Sequence, residues 1–248
     1  MARRVESYIA ERIAANGAIH MTLLDPEKTP GHDCCYMARE AEAGGTAAIM
    51  VGGSTSASGV EMDEAIKGIK AAVKVPVIIF PNNLTSISRH ADAIWFMSLL
   101  NSSNPYYFID AQAMGAPVIL KYGLEALPMG YVIVGPGGVA GFVGYARGIP
   151  YDHPELAVAY SLAGELLGMK YIYLEAGSGA PQPVPPQMIA AVRKYIKGTL
   201  VVGGGIRDPK AAAAAKAAGA QVVVTGTLVE EETRIRERIS EITVALKG

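Results

Sequence analysis

Cysteine is nearly missing from this chain, and the two that occur, Cys34 and Cys35, are neighbours. Adjacent thiols suit neither a long-range disulfide framework nor a zinc site with the usual ligand spacing, so a reducing cytoplasm is the expected setting. Histidine is scarce as well: His20, His32, His90 and His153 share no ligand spacing and read as structural or solvated. No run of lysine or arginine accompanies the net charge of −1, which excludes an electrostatic footprint for nucleic acid. Long apolar runs are lacking too. The most hydrophobic, 93–100, is too short to span a bilayer, so any membrane contact is expected to be peripheral. Residues 1–15 mix Arg3, Arg4, Glu6, Glu11 and Arg12 with apolar positions, have no apolar h-region, and read as a short amphipathic helix, not a signal peptide. Linker composition is absent throughout, and 248 residues suit one domain, 1–248.

What the chain does have is apolar residues. They make up 50% of it against 18% charged, which predicts a large core, a sparsely charged surface and room for an apolar groove. Short β-branched runs recur at 19–24, 47–51, 77–80, 93–97, 118–121 with 131–134, 171–174, 200–202 and 222–225. Most are continuously apolar, as strands covered on both faces should be. With the fifth position interrupted they make eight strands, and the length matches the ~250 residues of a (β/α)8 TIM barrel, an α/β fold. Helices are predicted at 34–43, 61–73, 106–114, 154–167, 185–196 and 209–218, several opened by Pro or Asp and closed by Gly. Residues 81–92 are too few for a helix with both its loops. One barrel helix, after the third strand, is therefore expected to be missing, leaving a slot beside the active-site face. Residues 135–151, rich in glycine and carrying Phe142, Tyr145 and Tyr151, read as a long loop or an interface element.

Three glycine clusters end the last three strand runs. Tyr173, Leu174, Glu175, Ala176, Gly177, Ser178 and Gly179 form the first; Gly203, Gly204 and Gly205 the second; Gly226 and Thr227 the third. Glycine lets backbone approach an anion, and a following helix aims its first N–H groups at it. Loops after the seventh and eighth strands are the usual phosphate site of such barrels. Glu175 lies within this cradle as a built-in base. At the other side, Asp25 ends the first strand, where its carboxylate either holds Mg²⁺ or caps the Asp-Pro turn. The neighbouring Gly52-Gly53-Ser54-Thr55-Ser56 is no ATP-type P-loop, since no Gly-Lys-Ser/Thr follows. Two polar ends imply two anionic groups. Lys28, Lys121 and Arg207 fall near predicted strand ends, where they could meet diphosphate oxygens, although the usual fate of such residues is a solvated rim.

Taken together, Leu-Leu-Asp-Pro at 23, Val-Gly-Gly-Ser-Thr at 51, Ile-Phe-Pro at 79, Phe-Met-Ser-Leu-Leu-Asn-Ser at 96, Tyr-Leu-Glu-Ala-Gly-Ser-Gly at 173, Val-Gly-Gly-Gly-Ile at 202 and Val-Thr-Gly-Thr at 224 resemble the geranylgeranylglyceryl phosphate synthase family. These are prenyltransferases of archaeal ether-lipid synthesis. The resemblance covers nearly the whole chain and departs from the family pattern at Phe142, Tyr145 and Tyr151. It implies transfer of geranylgeranyl from its diphosphate to the C3 hydroxyl of sn-glycerol 1-phosphate, with Mg²⁺ as cofactor. It further implies that Asp25 and Ser54 bind the metal with the diphosphate. The glycerol phosphate would lie against residues 173–179, Gly204, Gly205, Gly226 and Thr227. In that reading Glu175 takes the hydroxyl proton and Tyr173 orients the hydroxyl, plain packing being the other role open to it. Residues 80–88 and 95–100 are expected to wall a prenyl groove, with one of Trp95 and Phe96 plain barrel core because strand residues alternate. A homo-oligomer, dimer or hexamer, is expected from the apolar composition and the aromatic loop. The rival readings are a phosphosugar isomerase or synthase on the same barrel, and a non-catalytic prenyl-lipid binding protein.

Overall fold

Continuously apolar runs, buried on both faces, become strands here. The computed structural model describes residues 4–29, 32–53, 59–228 and 234–247. Eight parallel strands close into a barrel in chain order, with β8 pairing back onto β1. They are β1 (Ile19–Leu24), β2 (Ala48–Val51), β3 (Val77–Ile79), β4 (Ala93–Leu99), β5 (Glu125–Ile133), β6 (Tyr171–Glu175), β7 (Thr199–Gly203) and β8 (Val222–Thr225). The helices are α1 (Arg4–Asn16), α2 (His32–Ala43), α3 (Gly59–Ala72), α4 (Ala111–Tyr122), α5 (Gly138–Val143), α6 (Pro154–Leu166), α7 (Pro186–Tyr195), α8 (Pro209–Ala217) and α9 (Ile235–Lys247).

The TIM barrel is thus as expected, including its gap. After β3 only a 3-10 turn, Leu84–Ser86, stands where a helix would, and the Asn83 side chain caps it by accepting the Thr85 N–H at 2.7 Å. The fifth strand differs from the sequence reading. Residues 118–121 belong to α4, and β5 runs unbroken over Glu125–Ile133. Four apolar residues fit a strand or a half-buried helix equally well; here Ile119 is buried, Leu120 points to solvent, and Gly123 ends the helix at φ 71°. Lys121 therefore sits in the last turn of α4, not at a strand end. The helix expected at 106–114 begins as a π-helical turn, Tyr106–Asp110, before α4 proper. Within 135–151 the chain forms α5 and is tied down by bridges from Ser102 to Ala146 and from Val134 to Ile149.

Alternation sorts the core into two shells. Met21, Met50, Ile78, Trp95, Met129, Tyr171, Val201 and Val222 fill the barrel, while Leu24, Ile49, Ile79, Val132, Leu174 and Val202 pack against the helices. Helix α1 seals the end of the barrel opposite the loops. Its Val5 and Ile9 join the inner shell, each contributing ~1.5–3 kcal/mol on burial. The Glu125 carboxylate accepts the Val5 and Glu6 N–H groups at 2.8 and 2.9 Å, capping the helix N-terminus. With that end closed, ligands reach the interior from the C-terminal face of the strands. Among the described residues, no helix is long and apolar enough to cross a membrane.

Candidate active site

Glu175 is the last residue of β6 and points inward, following Tyr171 and Tyr173 on the same face. It is buried, with one carboxylate oxygen accepting the Gly177 N–H at 2.6 Å. Burial pushes its carboxyl above the usual carboxylate range, and hydrogen bonds from the Tyr173 hydroxyl, the Gly177 N–H and the Tyr131 hydroxyl pull it partly back. The product is a dry, oriented carboxylate that is more basic than one in water.

Tyr131 was not anticipated from sequence. It lies on β5 directly opposite Tyr173 in the ladder, and the two rings meet edge to face at 5.1 Å. Phe80 caps both, 5.7 Å from Tyr131 and 6.0 Å from Tyr173. Burial beside Glu175 holds both tyrosine hydroxyls well above their usual range, so they stay protonated as donors. The signal for Tyr131 lay in the alternation of Leu127, Met129, Tyr131 and Ile133, which an unbroken fifth strand reveals.

Two glycines are required by these side chains. A Cβ on Gly203 would lie 2.1 Å from the Tyr173 hydroxyl, and one on Gly204, at φ 80°, would lie 2.4 Å from a Glu175 oxygen. Around Glu175 the loops after β6, β7 and β8 enclose a polar pocket of about 770 Å³, measured out to its open mouth. The Ser178 and Thr227 hydroxyls hydrogen-bond across it at 2.9 Å, joining the first loop to the third. Asp25, Tyr173, Glu175, Ser178, Gly179, Gly204, Gly205, Gly226 and Thr227 all line this pocket, together with Lys28 and Arg207. Leu174 instead faces the helix layer, Ala176 is buried with its N–H given to the Gly203 carbonyl, and Gly177 serves Glu175.

Asp25 closes the Asp-Pro turn and also lines the pocket. Its carbonyl accepts from Lys28 and Thr29, closing the turn, while its buried carboxylate reaches the pocket. One carboxylate oxygen takes the Glu27 N–H at 3.1 Å; the other has the Lys28 ammonium at 3.9 Å. Burial raises its pKa, against the pull of the Glu27 N–H and Lys28. Gly53 presses against it so closely that a Cβ would sit 2.4 Å from a carboxylate oxygen. Ser54 lies outside the described residues. Among those described, no three His, Cys, Asp or Glu side chains cluster as a ready metal cage. One hard carboxylate oxygen in a pocket with room for phosphate oxygens is a donor set that fits Mg²⁺, which takes few protein ligands and completes its shell with phosphate and water.

An apolar cleft of about 890 Å³, again measured to its mouth, opens beside the polar pocket and shares Gly53, Phe80, Tyr131 and Ala140 with it. It enters the gap in the helical ring. Leu84 and Ile87 form one wall, Phe96 and Met97 the strand side, and Gln112, Gly115 and Ile119 one face of α4 the other. Residues 80–88 and 95–100 thus contribute as expected. Trp95 points into the barrel, wholly buried and edge-on to Tyr171 at 5.0 Å, yet like Phe96 it also borders the cleft, so neither of the pair is plain core. The α4 face and the α5 residues Ala140, Val143 and Gly144 were missed, because their approach depends on tertiary packing.

The model of the PcrB family matches residues 9–246. Geranylgeranylglyceryl phosphate synthase of Thermofilum pendens is 50% identical over 247 residues, covering 100% of this chain and 96% of its own. The enzyme of the same name from Methanothermobacter thermautotrophicus is 50% identical over 239 residues, 96% of this chain and 97% of its own. The crystal structure of (S)-3-O-geranylgeranylglyceryl phosphate synthase from Thermoplasma acidophilum, in complex with substrate sn-glycerol-1-phosphate, superposes with a TM-score of 0.95 at 42% identity, covering 100% of this chain and 99% of that one.

Proposed function

The chain belongs to the PcrB family, and from that premise we propose that it joins geranylgeranyl diphosphate to the C3 hydroxyl of sn-glycerol 1-phosphate, releasing pyrophosphate. The observation that carries this reading is Glu175, a buried carboxylate of raised basicity at the border where a glycine-walled polar pocket meets an apolar cleft. A phosphosugar isomerase would need a second acid or base opposite Glu175 and has no use for the cleft.

Glycerol phosphate binds with its phosphate among the loops that carry Ser178, Gly179, Gly204, Gly205, Gly226 and Thr227, where backbone can come close to an anion. Its C3 hydroxyl then faces Glu175. The prenyl chain occupies the cleft, where at ~0.8 kcal/mol per buried CH₂ a tail of about twenty carbons gains on the order of 10 kcal/mol before ordering costs. Phe80 and Tyr131, shared by both cavities, set the allylic carbon beside the hydroxyl. Asp25, with Ser54, would hold Mg²⁺, which when bound would supply charge neutralisation for the diphosphate leaving group. As the glycerol oxygen bonds to prenyl C1, the bond from C1 to the diphosphate oxygen breaks and the hydroxyl proton passes to Glu175. Tyr173 and Tyr131 keep the carboxylate aimed throughout, and the closed lower end of the barrel excludes water from beneath. The enzyme acts in the cytoplasm as a homo-oligomer, dimer or hexamer, with at most peripheral membrane contact.

Transfer of labelled geranylgeranyl diphosphate to sn-glycerol 1-phosphate, with and without Mg²⁺ and followed by extraction of the apolar product, tests this directly. Magnesium-dependent product is expected. Folded protein that makes none with any prenyl donor sinks the reading.

A further inference from the structure

His20 lies on β1 between the inward-facing Ile19 and Met21, so its ring turns toward the helix layer, where it is 1% exposed. Its two ring nitrogens are both engaged. Nδ1 is 3.0 Å from the Thr46 hydroxyl, and Nε2 is 2.9 Å from the hydroxyl of Thr225 on β8. Thr22 extends the network by donating to the Thr46 hydroxyl at 3.1 Å, and Thr46 in turn bonds the carbonyls of His20 and Ala48. All four side chains are buried.

Packing does not call for this network. The outward positions of the other strands carry Val51, Ile79, Val132, Leu174, Val202 and Val223, which fill the same layer with apolar groups. Burying polar groups there costs free energy unless each finds a partner, and a fully partnered network fixes one arrangement where apolar packing would tolerate several. Thr225 is the residue it fixes at the edge of the site. It ends β8 immediately before Gly226 and Thr227, it lines the polar pocket, and Thr227 carries the hydroxyl bond to Ser178.

We propose that His20 is a positioning residue for the phosphate loop after β8, holding Thr225 so that Gly226 and Thr227 stand where the phosphate of the acceptor substrate needs them. The inference rests on the reading above that this loop binds glycerol phosphate. Burial alone lowers the His20 pKa to about 3, so the ring is neutral and works by geometry, one nitrogen donating and the other accepting, with no charge offered to the anion. Its effect is therefore confined to one substrate. A loop shifted by a fraction of an ångström loses affinity for the phosphate, while the apolar cleft, walled by β4, α4 and the turn after β3 away from β8, keeps its own.

The test uses Thr225→Val, which removes the hydroxyl at nearly constant volume, beside His20→Leu. Calorimetric titration with sn-glycerol 1-phosphate is expected to show each variant about tenfold weaker, as loss of a buried hydrogen bond commonly costs, and the double variant no weaker than either single. In steady state the KM for sn-glycerol 1-phosphate rises by the same factor, while kcat and the KM for the prenyl diphosphate stay within about twofold. If His20→Leu fails to fold, Thr225→Val alone decides. Folded Thr225→Val with unaltered affinity, or with kcat and both KM values impaired together, overturns the proposal. Wild-type protein that binds no sn-glycerol 1-phosphate overturns instead the functional reading on which it rests.

Discussion

Over β6 to β8 the wall of the barrel mouth is backbone; over β3 to β5 it is side chain. The first half presents Gly179, Gly204, Gly205 and Gly226 with two bridged hydroxyls, while the second presents Phe80, Leu84, Ile87, Phe96, Met97 and the α4 face. Anion binding needs close approach and directed N–H groups, which glycine allows within a few consecutive residues. Apolar binding needs area, gathered from elements far apart in the chain. The two halves meet at Phe80 and Tyr131, and the reacting carboxylate stands at that border. Substitutions in the two halves should therefore separate: those at the border lower turnover, those in the polar half weaken one substrate, and those in the cleft change which donor is used.

The largest effect is expected at the border. Glu175→Gln should lower kcat by about 10³-fold, within the range for loss of a general base, with little change in calorimetric affinity for sn-glycerol 1-phosphate. Retained turnover would remove Glu175 from the mechanism. Next, Asp25→Asn should reduce kcat/KM for the prenyl diphosphate on the order of 10²-fold and raise the Mg²⁺ concentration needed for half-maximal rate. An unchanged magnesium titration would place the metal elsewhere.

In the cleft, a Cβ on Gly115 would already sit 3.3 Å from Leu84 and Ile87. Gly115→Leu should thus shorten the groove and shift kcat/KM from geranylgeranyl toward farnesyl diphosphate by about tenfold, as a few methylenes lost from a pocket do. Replacing a helical glycine costs the helix nothing in propensity, so folding should be kept. A donor series with the wild-type ratio would mean that the chain does not pass Gly115.

The smallest effect concerns pH. Glu175 must be ionised to act, and burial raises its pKa, so kcat/KM should fall as pH drops through a value above that of an ordinary glutamate. Tyr131→Phe removes a donor that favours the charged form, so this acid limb should move to still higher pH. A limb that stays in place would separate Tyr131 from the carboxylate.

Much of this contrast was legible beforehand. The glycine loops after the last three strands, Glu175 within them, Asp25 after β1 and the missing helix after β3 are each written in windows of a dozen residues or fewer, because turn geometry and strand length are local properties. Tyr131 is hidden because residues 118–121 read equally well as strand or helix and blur the start of β5, and a lone histidine such as His20 carries no spacing signal.

Eight apolar runs with glycine-ended loops, too few residues at 81–92 and a single carboxylate at each side of the mouth were determined by the sequence by itself, since each depends only on near neighbours along the chain. That Tyr131 meets Glu175, that α4 closes one side of the cleft and that His20 reaches Thr225 was decided by the tertiary structure. Those contacts depend on the register between strands and on closure of the barrel, where a slip of one residue would turn each of these side chains to the opposite face.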